Sequence, residues 1–123
     1  MSYADFQADW ENAADAELES YLRRSAAGLV ADARAGRYGD YYQLWRAIAA
    51  RATLPLAGPV LLEVLRSDAD YLVRYHAATA LLSLLGPVGM EAVDLSAGRA
   101  GQDERLKAVE QMVRERLDAA DPA

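Results

Sequence analysis

Leu61-Leu62-Glu63-Val64-Leu65-Arg66-Ser67-Asp68-Ala69-Asp70-Tyr71-Leu72-Val73-Arg74-Tyr75-His76-Ala77-Ala78-Thr79-Ala80-Leu81 is the stretch whose reading decides the fold. Val60, Leu61, Val64 and Leu65 recur in steps of one, three and four, the helical period, and the series stops at Ser67-Asp68. Pro59 just before it suits a first helical turn, where its missing N–H costs nothing. A second series, Val73, Ala77, Ala80, Leu81 and Leu84, predicts a helix from about Asp70 to Leu85, ended by Gly86-Pro87. Two helices joined by a tight turn follow from this stretch alone.

The flanks read the same way. Upstream, Phe6, Trp10, Ala14, Leu18, Tyr21, Leu22, Ser25, Leu29 and Ala33 form one apolar stripe in helical steps. It predicts helix over residues 1–36, either as one long element or as two joined near Asn12, ending near Gly36 or Gly39. Asp40 is the expected N-cap of the next helix, whose apolar face is Tyr41, Leu44, Trp45, Ile48, Ala49 and Ala52. Leu54 to Pro59 is expected to break it. Downstream, a short helix is predicted from Val88 to about Leu95, then a Gly/Ser loop over Ser96 to Gly101. The C-terminal helix is expected over 102–117, with Leu106, Val109, Met112, Val113 and Leu117 inward and Asp118 to Ala123 frayed. Val, Ile and Thr nowhere alternate with polar residues, so strands are not expected. The fold class is therefore all-α, a single domain of about five to seven helices.

The stretch from Pro59 to Leu84 resembles a HEAT repeat in its short bacterial form. The shared pattern is Leu-x-x-Leu closing the first helix, then Asp68-x-Asp70-x-x-Val73-Arg74, then Ala77-Ala78-x-Ala80-Leu81. In that resemblance Asp68 and Asp70 cap the inter-helix turn and the positive end of the second helix. Val73 plugs the gap between the paired helices, and Arg74 reaches backbone carbonyls or an aspartate of a neighbouring repeat. The alanines let helices approach closely. Residues 59–85 are the best-matched repeat; 40–52 and 88–117 would be degenerate flanking units that cap the stack, since one pair cannot bury its own face. The resemblance implies a short right-handed stack of antiparallel helix pairs, a HEAT-like superhelix with a concave docking face.

Composition narrows the function classes. A hydrophobic fraction of 53% in 123 residues is enough for one buried core. No apolar run reaches the roughly 18 residues that span a bilayer, and the longest, Ala77 to Leu85, is broken by Thr79 and Ser83. Met1-Ser2-Tyr3-Ala4-Asp5-Phe6 has no basic segment before an apolar one, so no secretory signal is expected. With no cysteine, disulfides and thiolate metal sites are ruled out, and a cytoplasmic location fits. Arg outnumbers Lys twelve to one and alanine supplies 26 residues, a bias that points to a high-GC bacterial genome.

The net charge of −6 is unevenly placed. Residues 1–19 hold Asp5, Asp9, Glu11, Asp15, Glu17 and Glu19 with no Lys or Arg, while residues 20–123 balance 13 acids against 13 bases. Nucleic acid and anionic membranes select basic patches, so neither is expected as a partner. An acidic face steers a basic protein instead. Asp5, Asp9, Asp15 and Glu19 fall on the side of the first helix away from its apolar stripe and are the first candidate contacts. Tyrosine and tryptophan dominate binding hot spots, so Tyr38, Tyr42, Tyr71 and Tyr75 are the second, expected exposed, with Trp45 assigned to the core.

Catalytic chemistry is poorly represented. His76 is the only histidine, so a relay would have to be built on it, and its place beside Tyr75 reads more simply as a rim residue. Asp68-x-Asp70 has the oxygen ligands for a divalent cation, but capping explains both residues. Gly36-Arg37-Tyr38-Gly39 and Gly86-Pro87-Val88-Gly89 lack the glycines and lysine of a phosphate loop. No cofactor, metal or catalytic residue is expected. The expectation is a protein-binding module, most specifically an inhibitor of the immunity kind that neutralises a basic toxin. The alternative is an adaptor or scaffold subunit gripping a helix or peptide through Tyr71, Tyr75 and Arg74. The oligomeric state is left open.

Overall fold

The computed structural model describes residues 2–67, 71–86 and 102–120, and among them there are six helices and no strand. They are α1 (Tyr3–Leu22), α2 (Ala26–Arg34), α3 (Gln43–Arg51), α4 (Leu54–Arg66), α5 (Tyr71–Leu85) and α6 (Gln102–Ala120). The expected helix at 88–95, the loop after it and the capping roles of Asp68 and Asp70 lie outside the described residues.

The starts of α1 and α2 have side-chain caps. Ser2 caps α1 with a reciprocal box: its Oγ accepts the Asp5 N–H at 3.1 Å, and Asp5 Oδ2 accepts the Ser2 N–H at 3.3 Å. The stripe over residues 1–36 is two helices, and the break falls at Arg23–Ser25, not near Asn12. Ser25 is the reason. It occupies an apolar-stripe position, but its Oγ accepts the Gly28 N–H at 3.1 Å and so opens a new helix. Asp40 is not the N-cap of α3. That position is Tyr42, held left-handed at φ 62° with no side-chain cap, and Tyr41 precedes the helix. Nor does Leu54 to Pro59 separate helices. α4 begins at Leu54 with Pro55 in its first turn, and Pro59 lies inside it on the exposed side. At that position its missing N–H gives up the bond that would run to the Pro55 carbonyl. α6 continues past Leu117 to Ala120.

The helices pack in two layers. α2 lies against α4, and α3 against α5; the sequence neighbours α2–α3 and α4–α5 close as pairs across the layers. α1 extends the α3–α5 layer by packing on α3, and α6 seals the other end against both α4 and α5. One continuous core results, with Leu29, Leu44, Trp45, Ile48, Leu61, Leu81, Val109 and Val113 fully buried. Val73 is buried as expected, and Arg74 reaches across: its Nε donates to the Leu65 carbonyl at 3.2 Å and its Nη2 approaches Asp103 Oδ1 at 3.5 Å. Glu110 of α6 binds Arg66 of α4 and Arg114 of its own helix. Gly58 lets α6 approach closely, since a Cβ there would meet Leu117 Cδ1 at 3.3 Å.

Candidate partner-binding surface

α1 is docked along only half its length. Its second half faces α3 and the 37–42 segment with Ala14, Leu18, Tyr21 and Leu22, buried or half-buried. A carboxylate secures it there. Glu17 accepts the Asp40 N–H at 3.1 Å and the Tyr41 N–H at 2.8 Å, joining α1 to a segment 23 and 24 residues away. Burial raises the Glu17 pKa; the two N–H groups pull it back only partly, and Asp40 adds a further rise. Gly39, at φ +77°, makes room for this clamp: a Cβ there would overlap Glu17 Oε1 outright and lie 2.6 Å from Tyr21 Oη.

The first half of α1 overhangs. Tyr3, Phe6 and Trp10 continue the docked face in steps of three and four, yet they are 79%, 58% and 43% exposed. Trp10 meets Tyr41 edge-on at 5.7 Å. The apolar stripe correctly aligned Phe6 and Trp10 with the inward face. What it lacked was any sign that this part of the face stays exposed. The same spacing reaches back to Tyr3.

The acids on this helix are where the sequence put them. Asp5, Asp9, Asp15 and Glu19 are all exposed, as is Glu11, and α1 contains no cation. Glu17 is the exception, turned inward to the clamp. The next acid along the chain, Asp32, is buried and already neutralised: Arg37 donates to Oδ1 from Nε at 3.1 Å and Nη2 at 2.9 Å, and Arg24 pairs with Oδ2. The Arg24 hydrogen bond, with help from Arg37, holds the Asp32 carboxyl below its usual range against the opposing effect of burial.

The four tyrosines expected exposed are half-buried, and the fold does not bring them to the acidic helix as one patch. Tyr38 leans on Trp45 at 5.2 Å and lines a groove between α2 and α4. Tyr42 stacks on His76 at 4.7 Å, Tyr75 meets the same imidazole edge-on at 5.3 Å, and Tyr71 lies 6.2 Å from Tyr75. Tyr42 and Tyr75 pack against the core where α3 and α5 lie side by side, which brings residues 42 and 75–76 together, and Tyr38 packs against it through Trp45. His76 is thus half-buried among rings, and desolvation lowers its pKa.

A groove of about 310 Å³ runs between α3 and α5, lined by Arg46, Ala49, Ala50, His76, Thr79 and Ser83 among others. Its polar groups are engaged locally: Thr79 Oγ1 donates to the His76 carbonyl and Arg46 to Gln43 Oε1. The ring neighbours of His76 are Tyr42 and Tyr75. Among the described residues no group of three or more His, Asp or Glu side chains is placed to hold a metal, and no helix is long and apolar enough to cross a membrane.

Comparison with known proteins adds one short similarity. A family described as "Required for nuclear transport of RNA pol II C-terminus 2" matches residues 60–84, the α4–α5 pair. No curated protein and no solved structure matches the chain.

Proposed function

We propose that this protein is a non-catalytic binding module that neutralises a basic protein partner, in the manner of an inhibitor or immunity protein set against a bacterial toxin. The observation that supports this reading is the solvent side of α1: five exposed carboxylates, Asp5, Asp9, Glu11, Asp15 and Glu19, with no cation on the helix. Ordinary exposed faces intersperse both signs. A single-sign face speeds encounter with an opposite one and repels others, an effect that salt screens within about 8–10 Å. The cytoplasm is the proposed place of action, and the HEAT-like stack the proposed scaffold.

An adaptor role, with a helix or peptide held on the α3–α5 face, is the second reading. The match of α4–α5 to a family described by a transport role is the observation on its side. Against it, Arg74 is spent on Leu65 and Asp103, and Tyr71 and Tyr75 are half-buried.

Affinity capture from native lysate at low and high salt, repeated with Asp5, Asp9, Asp15 and Glu19 all changed to Lys, tests the first reading. A stoichiometric basic partner, lost at high salt and lost on charge reversal, is the expected result. A partner indifferent to both would transfer the case to the adaptor.

A further inference from the structure

The aromatic row on the overhanging half of α1 is distinct from the acidic back and, but for the Trp10–Tyr41 contact, is exposed among the described residues. Tyr3, Phe6 and Trp10 form a straight line along one side of the helix, continuous with the face that α1 uses to dock on α3. By the helical period Asp9 and Glu11 fall on either side of that line, with Asp5 beyond Asp9. The row is thus an apolar strip with acidic borders.

Those borders select the occupant. Pairing α1 with α1 of a second copy would bring Asp5, Asp9 and Glu11 of both chains into one contact with no cation on either helix, and like charges across an interface are penalised. An anionic membrane surface is disfavoured for the same reason. An extended peptide would find no main-chain partners, because the N–H and C=O groups of α1 are spent within the helix. A helix brings its own backbone bonds already made. Apolar residues at steps of three and four on one face, with Lys or Arg beside them, match both the row and its borders.

We propose that the Tyr3–Phe6–Trp10 row is the docking site for a cationic amphipathic helix of the partner, laid along α1. Its apolar face covers the three rings, and its cations reach Asp9 and Glu11. The inference rests on the reading that the partner is basic, and adds which face is used and what element of the partner it takes.

The test uses a synthetic amphipathic helical peptide of about five turns, with Leu on one face and Lys on the other, and a control peptide with Glu in place of Lys. Binding is followed by calorimetry at low salt and by the indole N–H resonances of the two tryptophans, assigned with W10F. The expected result is that the Lys peptide binds and moves the Trp10 signal but not that of Trp45, while the Glu peptide does not bind. The double change Tyr3→Ser and Phe6→Ser, at two exposed side chains outside the core, should weaken binding at least about tenfold with an unchanged melting temperature. Unchanged affinity of that variant overturns the inference. If the Lys reversal of Asp5, Asp9, Asp15 and Glu19 still abolishes binding, the basic-partner reading survives without it; if reversal too has no effect, both fall. A dimer in sedimentation that the Tyr3/Phe6 change disrupts would assign the row to a second copy and likewise overturn it.

Discussion

Gly39→Ala is the substitution that most sharply tests how α1 is held. Two costs are involved. The φ of +77° suits glycine, and an alanine there pays about 1 kcal/mol. The added Cβ must also displace the Glu17 carboxylate, which then gives up the Asp40 and Tyr41 N–H groups. A charge-assisted bond contributes about 1.5–3 kcal/mol when buried; for this half-exposed carboxylate we take about 1 kcal/mol each. The total is about 3 kcal/mol, which for a domain of this size lowers Tm by about 10–12 °C. Gly36→Ala provides the control. Gly36 has nearly the same φ, +78°, with nothing within 4 Å of the added Cβ, so it should lose only about 1 kcal/mol, or about 4 °C. Urea denaturation of both variants, and of Gly39→Ala in a Glu17→Ala background, separates the two costs. With Glu17 gone, the Gly39 change should fall to about 1–2 kcal/mol, the excess over Gly36 reflecting Tyr21 Oη. Equal losses at Gly36 and Gly39, or additive losses at Glu17 and Gly39, would refute the clamp.

Two further outcomes follow from buried and half-buried charges. His76 has a lowered pKa, so its contribution is complete above the ordinary value of about 6.5 and is lost as pH falls through the folded-state value. Wild type should therefore lose Tm between about pH 7.5 and 5.5 relative to His76→Phe, which keeps a ring on Tyr42; parallel pH profiles would contradict this. Asp32, with its pKa lowered by Arg24 and Arg37, contributes stability above the ordinary carboxylate pKa that disappears as pH falls through its depressed folded value. Asp32→Asn should cost about 1–2 kcal/mol at neutral pH and progressively less as pH falls below the ordinary carboxylate pKa; a constant cost would mean that the shape of the side chain, not its charge, matters.

Much of the helical content was legible in the chain because helix formation is periodic and local. Val73 to Leu85 predicts α5 nearly to the residue, Val60 to Leu65 marks the buried face of α4 and its end but not its start at Leu54, and Leu106, Val109 and Val113 name the buried face of α6. Boundaries were less legible where one side chain serves two roles. Ser25 continues the apolar stripe in spacing but ends it in chemistry, because an Oγ that accepts a backbone N–H starts a helix. Pro59 looked like a helix start and is an interior residue, since Pro55 already occupies the first turn.

The candidate surface divides along the same line. The sequence by itself determined that α1 is amphipathic, that every charge on it is acidic and which way Asp5, Asp9, Asp15 and Glu19 point, because all three depend on residue type and the 3.6-residue period. Only the tertiary structure decided that Glu17 turns inward onto Asp40 and Tyr41, that Tyr42 and Tyr75 enclose His76, and that Tyr3, Phe6 and Trp10 are left uncovered. Periodicity assigns a side chain to a face. Whether that face meets another helix depends on where α1 crosses α3 and on where its neighbours stop, relations between segments distant in the chain that no local pattern records.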